Sequence, residues 1–267
     1  MVAPLIVKSS TIAAGWEQSI IELCTHGIDI PTDYDKSDDL PSLDAPLVLH
    51  LPTPLQEPML HRWSHCSREF LRTYIDEVVH GVSDHKTVPF SVAKKTGRLY
   101  YTYHSRMVNY PTMFGAIDQL SYVVKELNRN PFSRRAQMVL WDAKHDTKAG
   151  DPPCLQRLWF RCAPPPNPAD KETLRLDLHV SMRSNDAYKA AFANIVAFVF
   201  LQKHVADRLT AKLNKRVLVG AYTHMVDSYH IYGKDRPSLR NGFFPFIDRM
   251  SPERRFQNFN TAMTRER

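Results

Sequence analysis

The run Leu174-Arg175-Leu176-Asp177-Leu178-His179-Val180-Ser181-Met182 alternates apolar and polar residues at every step. A period of two places all five apolar side chains on one face, so this segment predicts a strand with one buried side. Asn185 or Asp186 then offers a side-chain cap for a helix over about 187–209. From Ala190 to Leu201 that helix is apolar nearly all round, broken only by Asn194, which predicts a central place in the core. Residues 217–226 read as a returning strand.

Further upstream the signals are mixed. Residues 29–56 are rich in Pro and Asp and read as loops, with one short strand over 47–51. A helix is expected over 56–80, stopped by Gly81. A second is expected over 112–127, with Phe114, Ile117, Leu120, Val124 and Leu127 on one face. Residues 136–141 and 155–162 read as strands. The segment Ala163-Pro164-Pro165-Pro166-Asn167-Pro168 opens a surface insertion over 163–173. Helices and strands mix without regular alternation, which argues for an α+β fold: a mixed sheet packed by helices. At 267 residues one domain spanning 1–267 is expected.

A hydrophobic content of 43% is enough for a core, yet no apolar stretch is long enough to span a bilayer, so no membrane role is expected. The N-terminus lacks a basic lead-in followed by a long apolar segment, so no secretory signal is read there. Cys24, Cys66, Cys154 and Cys162 are irregularly spaced, without a metal-ligand or disulfide pattern, and a reducing cytoplasm is the expected setting. The net charge of +7 attracts anions in general. No Lys/Arg block is long enough to require nucleic acid, and the basic tail over 250–267 reads as solvated surface.

Five groups carry candidate chemistry. Cys154 follows Pro152-Pro153, which fix its backbone approach; a thiolate there can add to C6 of a pyrimidine ring if positive charge lowers its pKa. Cys24, Cys66 and Cys162 read as small buried hydrophobes. Arg134-Arg135 and Arg183-Ser184 are polar clusters at predicted strand ends, suited to a phosphate dianion. Adjacent strand residues face opposite ways, so Arg134 and Arg135 do not easily serve one site in their own subunit. Asn194 is an amide inside an apolar helix and must be satisfied. One carboxamide can donate to O4 and accept from N3–H of uracil; flipped, it suits cytosine, so it indicates a pyrimidine. His230 and Tyr232 lie two apart on an extended segment and face one side.

Taken together, Tyr101 with Arg106, Ile117-Asp118-Gln119, Pro131-Phe132-Ser133-Arg134-Arg135, Pro153-Cys154, Arg183-Ser184-x-Asp186, Asn194 and His230-Ile231-Tyr232 resemble the thymidylate synthase and nucleotide hydroxymethylase family. The resemblance runs from about Tyr101 to Tyr232. It implies a thymidylate synthase-like domain assembling as a homodimer through its sheet, with Arg134 and Arg135 donated across the interface to the partner's phosphate site. It implies that Cys154 is the nucleophile, with Tyr101 and Asp151 as catalytic neighbours. Arg183 and Ser184 would bind phosphate, Asn194 the base, and His230 with Tyr232 the sugar 3'-hydroxyl. Asp186 would hold the pterin of 5,10-methylenetetrahydrofolate, the one-carbon donor.

Several departures bear on the reaction. Asp151 stands where the family commonly has a leucine shielding the reaction centre, and Thr261 to Arg267 is not the family's apolar carboxylate latch. Lys189-Ala190-Ala191-Phe192-Ala193 replaces the usual Leu-Gly-x-Pro-Phe run, and the N-terminal phosphate loop is not visible. The family's water-organising glutamate has only Asp76 or Glu77 as candidates. The resemblance implies that Cys154 activates C5 toward the one-carbon unit. After folate departs, hydride gives a methyl group and water gives a hydroxymethyl group. A wetter site favours water, so C5 hydroxymethylation of a pyrimidine nucleoside 5'-monophosphate (dUMP, dCMP or CMP type) is expected. The alternatives are reductive methylation of dUMP to dTMP, and a non-catalytic nucleotide- or RNA-binding relative.

Overall fold

The computed structural model describes residues 2–165, 167 and 169–260. Strands are β1 (Leu5–Lys8), β2 (Ile28–Ile30), β3 (Ser42–Leu51), β4 (Leu60–His61), β5 (Tyr110–Thr112), β6 (Gly115–Ile117), β7 (Gln137–Val139), β8 (Leu155–Ala163), β9 (Thr173–Asp186), β10 (Arg216–Ile231) and β11 (Phe256–Gln257). The principal helices are α1 (Ile12–His26), α2 (Arg68–His80), α3 (Phe90–Thr96), α4 (Tyr103–Val108), α5 (Gln119–Arg129) and α6 (Ala191–Leu213). The main sheet runs β1-β3-β10-β9-β8-β7, with β2 also on β3. β1 lies parallel to β3 while β2 is antiparallel to it, so the sheet is mixed and the class is α+β.

The alternating run behaves as its period dictates. Leu174, Leu176, Leu178, Val180 and Met182 on β9 are each buried, and each contributes about 1.5–3 kcal/mol of transfer free energy. On α6, Ile195 through Val199 and Leu201 are fully buried, as an all-round apolar helix must be. That helix starts later than its cap suggests. Asp186 Oδ1 accepts from Tyr188 N (3.0 Å) and Lys189 N (2.9 Å), holding 187–190 in turns before α6 begins.

Two helix expectations need correction. The helix expected over 56–80 is α2 alone, because residues 60–61 are drawn into antiparallel pairing with β11, His61 opposite Phe256. Its C-terminus is as predicted: Gly81 takes φ +69° and its N–H donates to Glu77 O at 3.1 Å. The helix expected over 112–127 begins only at Gln119, because residues 110–117 form the β5–β6 hairpin around Gly115 at φ +115°. Asp118 caps α5 through Ser121 N at 2.8 Å, and the supposed core residue Phe114 is 93% exposed. β3 is also longer than expected. Its Pro46 falls between the register of β2 (Ser42–Asp44) and that of β1 (Leu47–His50).

The described chain divides into two compact units. The first comprises residues 1–71, 182–196 and 223–267, and the second comprises 72–181 and 197–222. In the first, the supposedly solvated tail is partly anchored. Arg255 donates to Ile247 O (2.7 Å) and Met250 O (2.9 Å) and pairs with Glu17 at 2.9 Å, while Glu17 also meets buried His61 at 2.9 Å. Thr261 to Arg267, with the latch comparison, lie outside the described residues, as do Pro166 and Pro168 of the proline-rich insertion. Among the described residues no helix is long and apolar enough to cross a membrane.

Candidate active site

Cys154 sits half-buried immediately before β8, with Pro153 buried behind it and Asp151 exposed ahead of it. Aromatic hydroxyls gather around it. Tyr101 and Tyr103 bracket the start of α4, their rings 6.4 Å apart, with Tyr100 a further 4.9 Å from Tyr101. Burial pushes the Tyr101 hydroxyl far up its range, helped by the neighbouring Tyr103, Asp151 and Cys154. Tyr103 is pushed up likewise by burial, then by Tyr74 and Cys154, while its hydroxyl takes the backbone N–H of Leu155. Both phenols therefore remain neutral beside the sulfur. Tyr103 was not anticipated from the sequence; the run Tyr100-Tyr101-x-Tyr103 was its signal.

The other cysteines are poor nucleophiles. Burial raises the Cys24 and Cys66 thiols to about 11 and Cys162 to about 12, so little thiolate forms at neutral pH.

Arg106 explains why it accompanies Tyr101. Its guanidinium is buried, pairs with Asp146 at 2.7 Å, donates to Leu140 O at 3.2 Å and lies 5.4 Å from the Tyr101 ring centroid. Gln119 fastens this region, donating to Arg106 O (3.0 Å) and Val139 O (2.8 Å) and accepting from Val139 N (2.9 Å). Beside Tyr101 and Asp151 opens a cavity of about 400 Å³, lined also by Phe90, Leu99 and Tyr100 and by the cations Lys94, Arg98 and Lys148. Aromatic walls with a cationic rim suit a flat anionic molecule such as a folate. Arg134 and Arg135 are exposed, while their carbonyls are tied by Trp159 Nε1 (3.0 Å) and the Tyr122 hydroxyl (3.3 Å). Of the two acids considered for organising water, Asp76 is exposed and Glu77 half-buried on α2.

Arg183, Ser184, Asp186, Asn194, His230 and Tyr232 belong to the other compact unit. Arg183 and Ser184 lie half-buried near the end of β9. Ser184 Oγ is 3.5 Å from His230 Nδ1, which also lies 3.3 Å from Ser228 O. Ser228 donates in turn to Asp44. A proton on Nδ1 satisfies that carbonyl and leaves Nε2 as an acceptor. His230 is 7% exposed, and its Nε2 is buried with no partner among the described residues. The Tyr232 ring lies 4.7 Å from His230, 5.7 Å from Tyr34 and beneath Lys234 Nζ. Both bonds that cap the 187–190 turn end on Asp186 Oδ1, so Oδ2 is compatible with a second role at a ligand's N–H edge.

The buried amide of Asn194 is satisfied by a group the sequence reading treated only as a cap. Asn194 Nδ2 donates to Asn185 Oδ1 at 3.0 Å, and Asn185 Nδ2 meets His224 Nε2 at 3.0 Å. His224 was missed altogether. Its signal was a histidine at a core-facing position of β10, between buried Tyr222 and Val226.

The sequence model of the family described as thymidylate synthase matches residues 21–266. Among curated relatives, proteins named "Putative thymidylate synthase" from Methanosarcina barkeri and Methanopyrus kandleri are 27% and 29% identical over 236 residues. Each alignment covers 88% of this chain, and 93% and 97% of the respective relative. A protein of the same name from Methanocaldococcus jannaschii is 32% identical over 158 residues, 57% of this chain and 61% of its own. The match over residues 21–266 decides the assignment: the chain belongs to the thymidylate synthase family and is a one-carbon transferase.

Proposed function

We propose that this chain hydroxymethylates C5 of a pyrimidine nucleoside 5'-monophosphate, with Cys154 as the nucleophile that adds to C6. The supporting observation is Asp151: an exposed carboxylate three residues before Cys154, lining the same cavity as Tyr101. A hydride route requires a dry reaction centre, because an electrophilic methylene is otherwise captured by water. A charged, hydrated side chain at that position favours water.

In this reading the thiolate of Cys154 forms the bond to C6 and later leaves it, so the sulfur ends unchanged. Tyr101 and Tyr103, held neutral, donate hydrogen bonds near the reacting centre. Asn194 reads the base, His230 Nε2 accepts from a sugar hydroxyl beside Tyr232, and Arg183 with Ser184 holds the phosphate. 5,10-Methylenetetrahydrofolate supplies the one-carbon unit when bound; by resemblance to the family, Asp186 would take its ring N–H groups, and its Oδ2 is compatible with that. The chain acts as one catalytic domain in a homodimer, to which Arg134 and Arg135 contribute phosphate ligands across the interface; their exposure is compatible with that. Sedimentation at equilibrium reads the dimer directly, and a monomer would remove this part of the reading.

The second reading is reductive methylation of dUMP, which the relatives' name favours. The test incubates the enzyme and methylenetetrahydrofolate with dUMP, dCMP, UMP and CMP separately. Product mass and dihydrofolate absorbance are followed. A hydroxymethyl gain without dihydrofolate is expected; a methyl gain with stoichiometric dihydrofolate selects the second reading.

A further inference from the structure

We propose that Asn185 and His224 fix which way round the Asn194 carboxamide is presented, and thereby make this chain discriminate between uracil and cytosine. The proposal rests on the nucleotide reading above and adds to it two positioning residues.

The argument runs through three buried side chains of one compact unit. Asn185 is the penultimate residue of β9, Asn194 lies in the first turn of α6, and His224 sits on β10; they are 3%, 5% and 0% exposed. A carboxamide nitrogen only donates. The 3.0 Å contact from Asn185 Nδ2 therefore requires a bare Nε2 on His224, with the imidazole proton on Nδ1. Burial supports that state by pushing the His224 pKa down to about 3, so the ring stays neutral at ordinary pH. With Asn185 Nδ2 committed to His224, its Oδ1 faces Asn194 and accepts from Asn194 Nδ2 at 3.0 Å. A flip of Asn194 alone would set two oxygens against each other in a buried place and lose this bond.

The consequence follows from the bases. Uracil offers a carbonyl oxygen beside N3–H; cytosine offers an amine beside a bare N3. The order of acceptor and donor is reversed. An amide free to rotate serves either base, whereas an amide held one way serves one. The cost of leaving one buried hydrogen-bonding group unpaired by the wrong base corresponds to roughly tenfold to a hundredfold in dissociation constant.

The test measures calorimetric Kd values for dUMP and dCMP, and for UMP and CMP, on the full chain. Wild type is expected to prefer one base at least tenfold, by that same conversion. Asn185→Ala and His224→Phe remove the Asn185–His224 restraint on the amide, and the ratio should fall to within about threefold, mainly because the disfavoured base binds better. Asn185→Asp still presents only an acceptor to Asn194 and should keep the preference, a result that mere damage to the fold would not give. Long-range proton–nitrogen correlation in the wild type should show His224 Nε2 unprotonated, a reading that needs no variant to fold. A protonated Nε2 overturns the proposal. So does a preference unchanged in Asn185→Ala, or weakened binding of both bases in equal proportion. Wild type that binds pyrimidine nucleotides without preference overturns this proposal alone; wild type that binds none overturns the nucleotide reading and this proposal together.

Discussion

At the scale of single residues, the proposed chemistry concentrates on two side chains. Cys154→Ser should lower turnover by at least about a thousandfold, as removal of a covalent nucleophile does, while nucleotide Kd stays within about threefold. Cys24→Ser, with its parent thiol held protonated by burial, should leave turnover intact; single-turnover assays with parallel calorimetry separate these outcomes. His230 has its Nδ1 near Ser228 O and its buried Nε2 without a partner among the described residues. His230→Ala should raise nucleotide Kd about tenfold through loss of one buried acceptor. A 3'-deoxy nucleotide should bind wild type and variant alike, which isolates the sugar hydroxyl as the group recognised. Cys154 and His230 could be named as candidates from the sequence because their residue types belong to the proposed chemistry. Asn185 and His224 were not, because their function is to orient another amide, and only β9, α6 and β10 in place bring them together.

Among the elements, legibility tracked how local the deciding interaction is. β9 and α6 were readable since alternation and an all-round apolar run are dictated within the segment itself. α2 was overextended because residues 60–61 are claimed by a strand almost two hundred positions later, for which no local signal exists. The β5–β6 hairpin did have one: Gly115 interrupts the supposed helix face between Phe114 and Ile117. The segment after β10 is set by close backbone approach. A Cβ on Gly233 would lie 1.6 Å from Leu40 O, so Gly233→Ala requires the chain beside Tyr232 to shift. That substitution should cost about 2 kcal/mol or more, read as a lowered urea midpoint, and should weaken nucleotide binding by displacing Tyr232. An unchanged midpoint would contradict the packing described.

For the whole molecule, acid stability follows from a histidine that burial keeps neutral. Desolvation pushes His224, which is 0% exposed, down to about 3. In the unfolded chain this group binds a proton from the ordinary histidine value of 6.5 downward. Its contribution is therefore complete above pH 6.5 and is lost as pH falls toward 3. It adds a slope of at most about 1.4 kcal/mol per pH unit in that window. Urea unfolding at a series of pH values should show the slope, and His224→Asn should flatten it; an identical acid limb in the variant would contradict the buried neutral ring. The central claim, that water rather than hydride completes the reaction beside Asp151, is tested most directly by turnover in heavy-oxygen water. With the preferred nucleotide and methylenetetrahydrofolate, the account predicts a hydroxymethyl product whose new oxygen carries the heavy isotope, and no dihydrofolate. A methylated nucleotide without the isotope, formed with an equal amount of dihydrofolate, would contradict it.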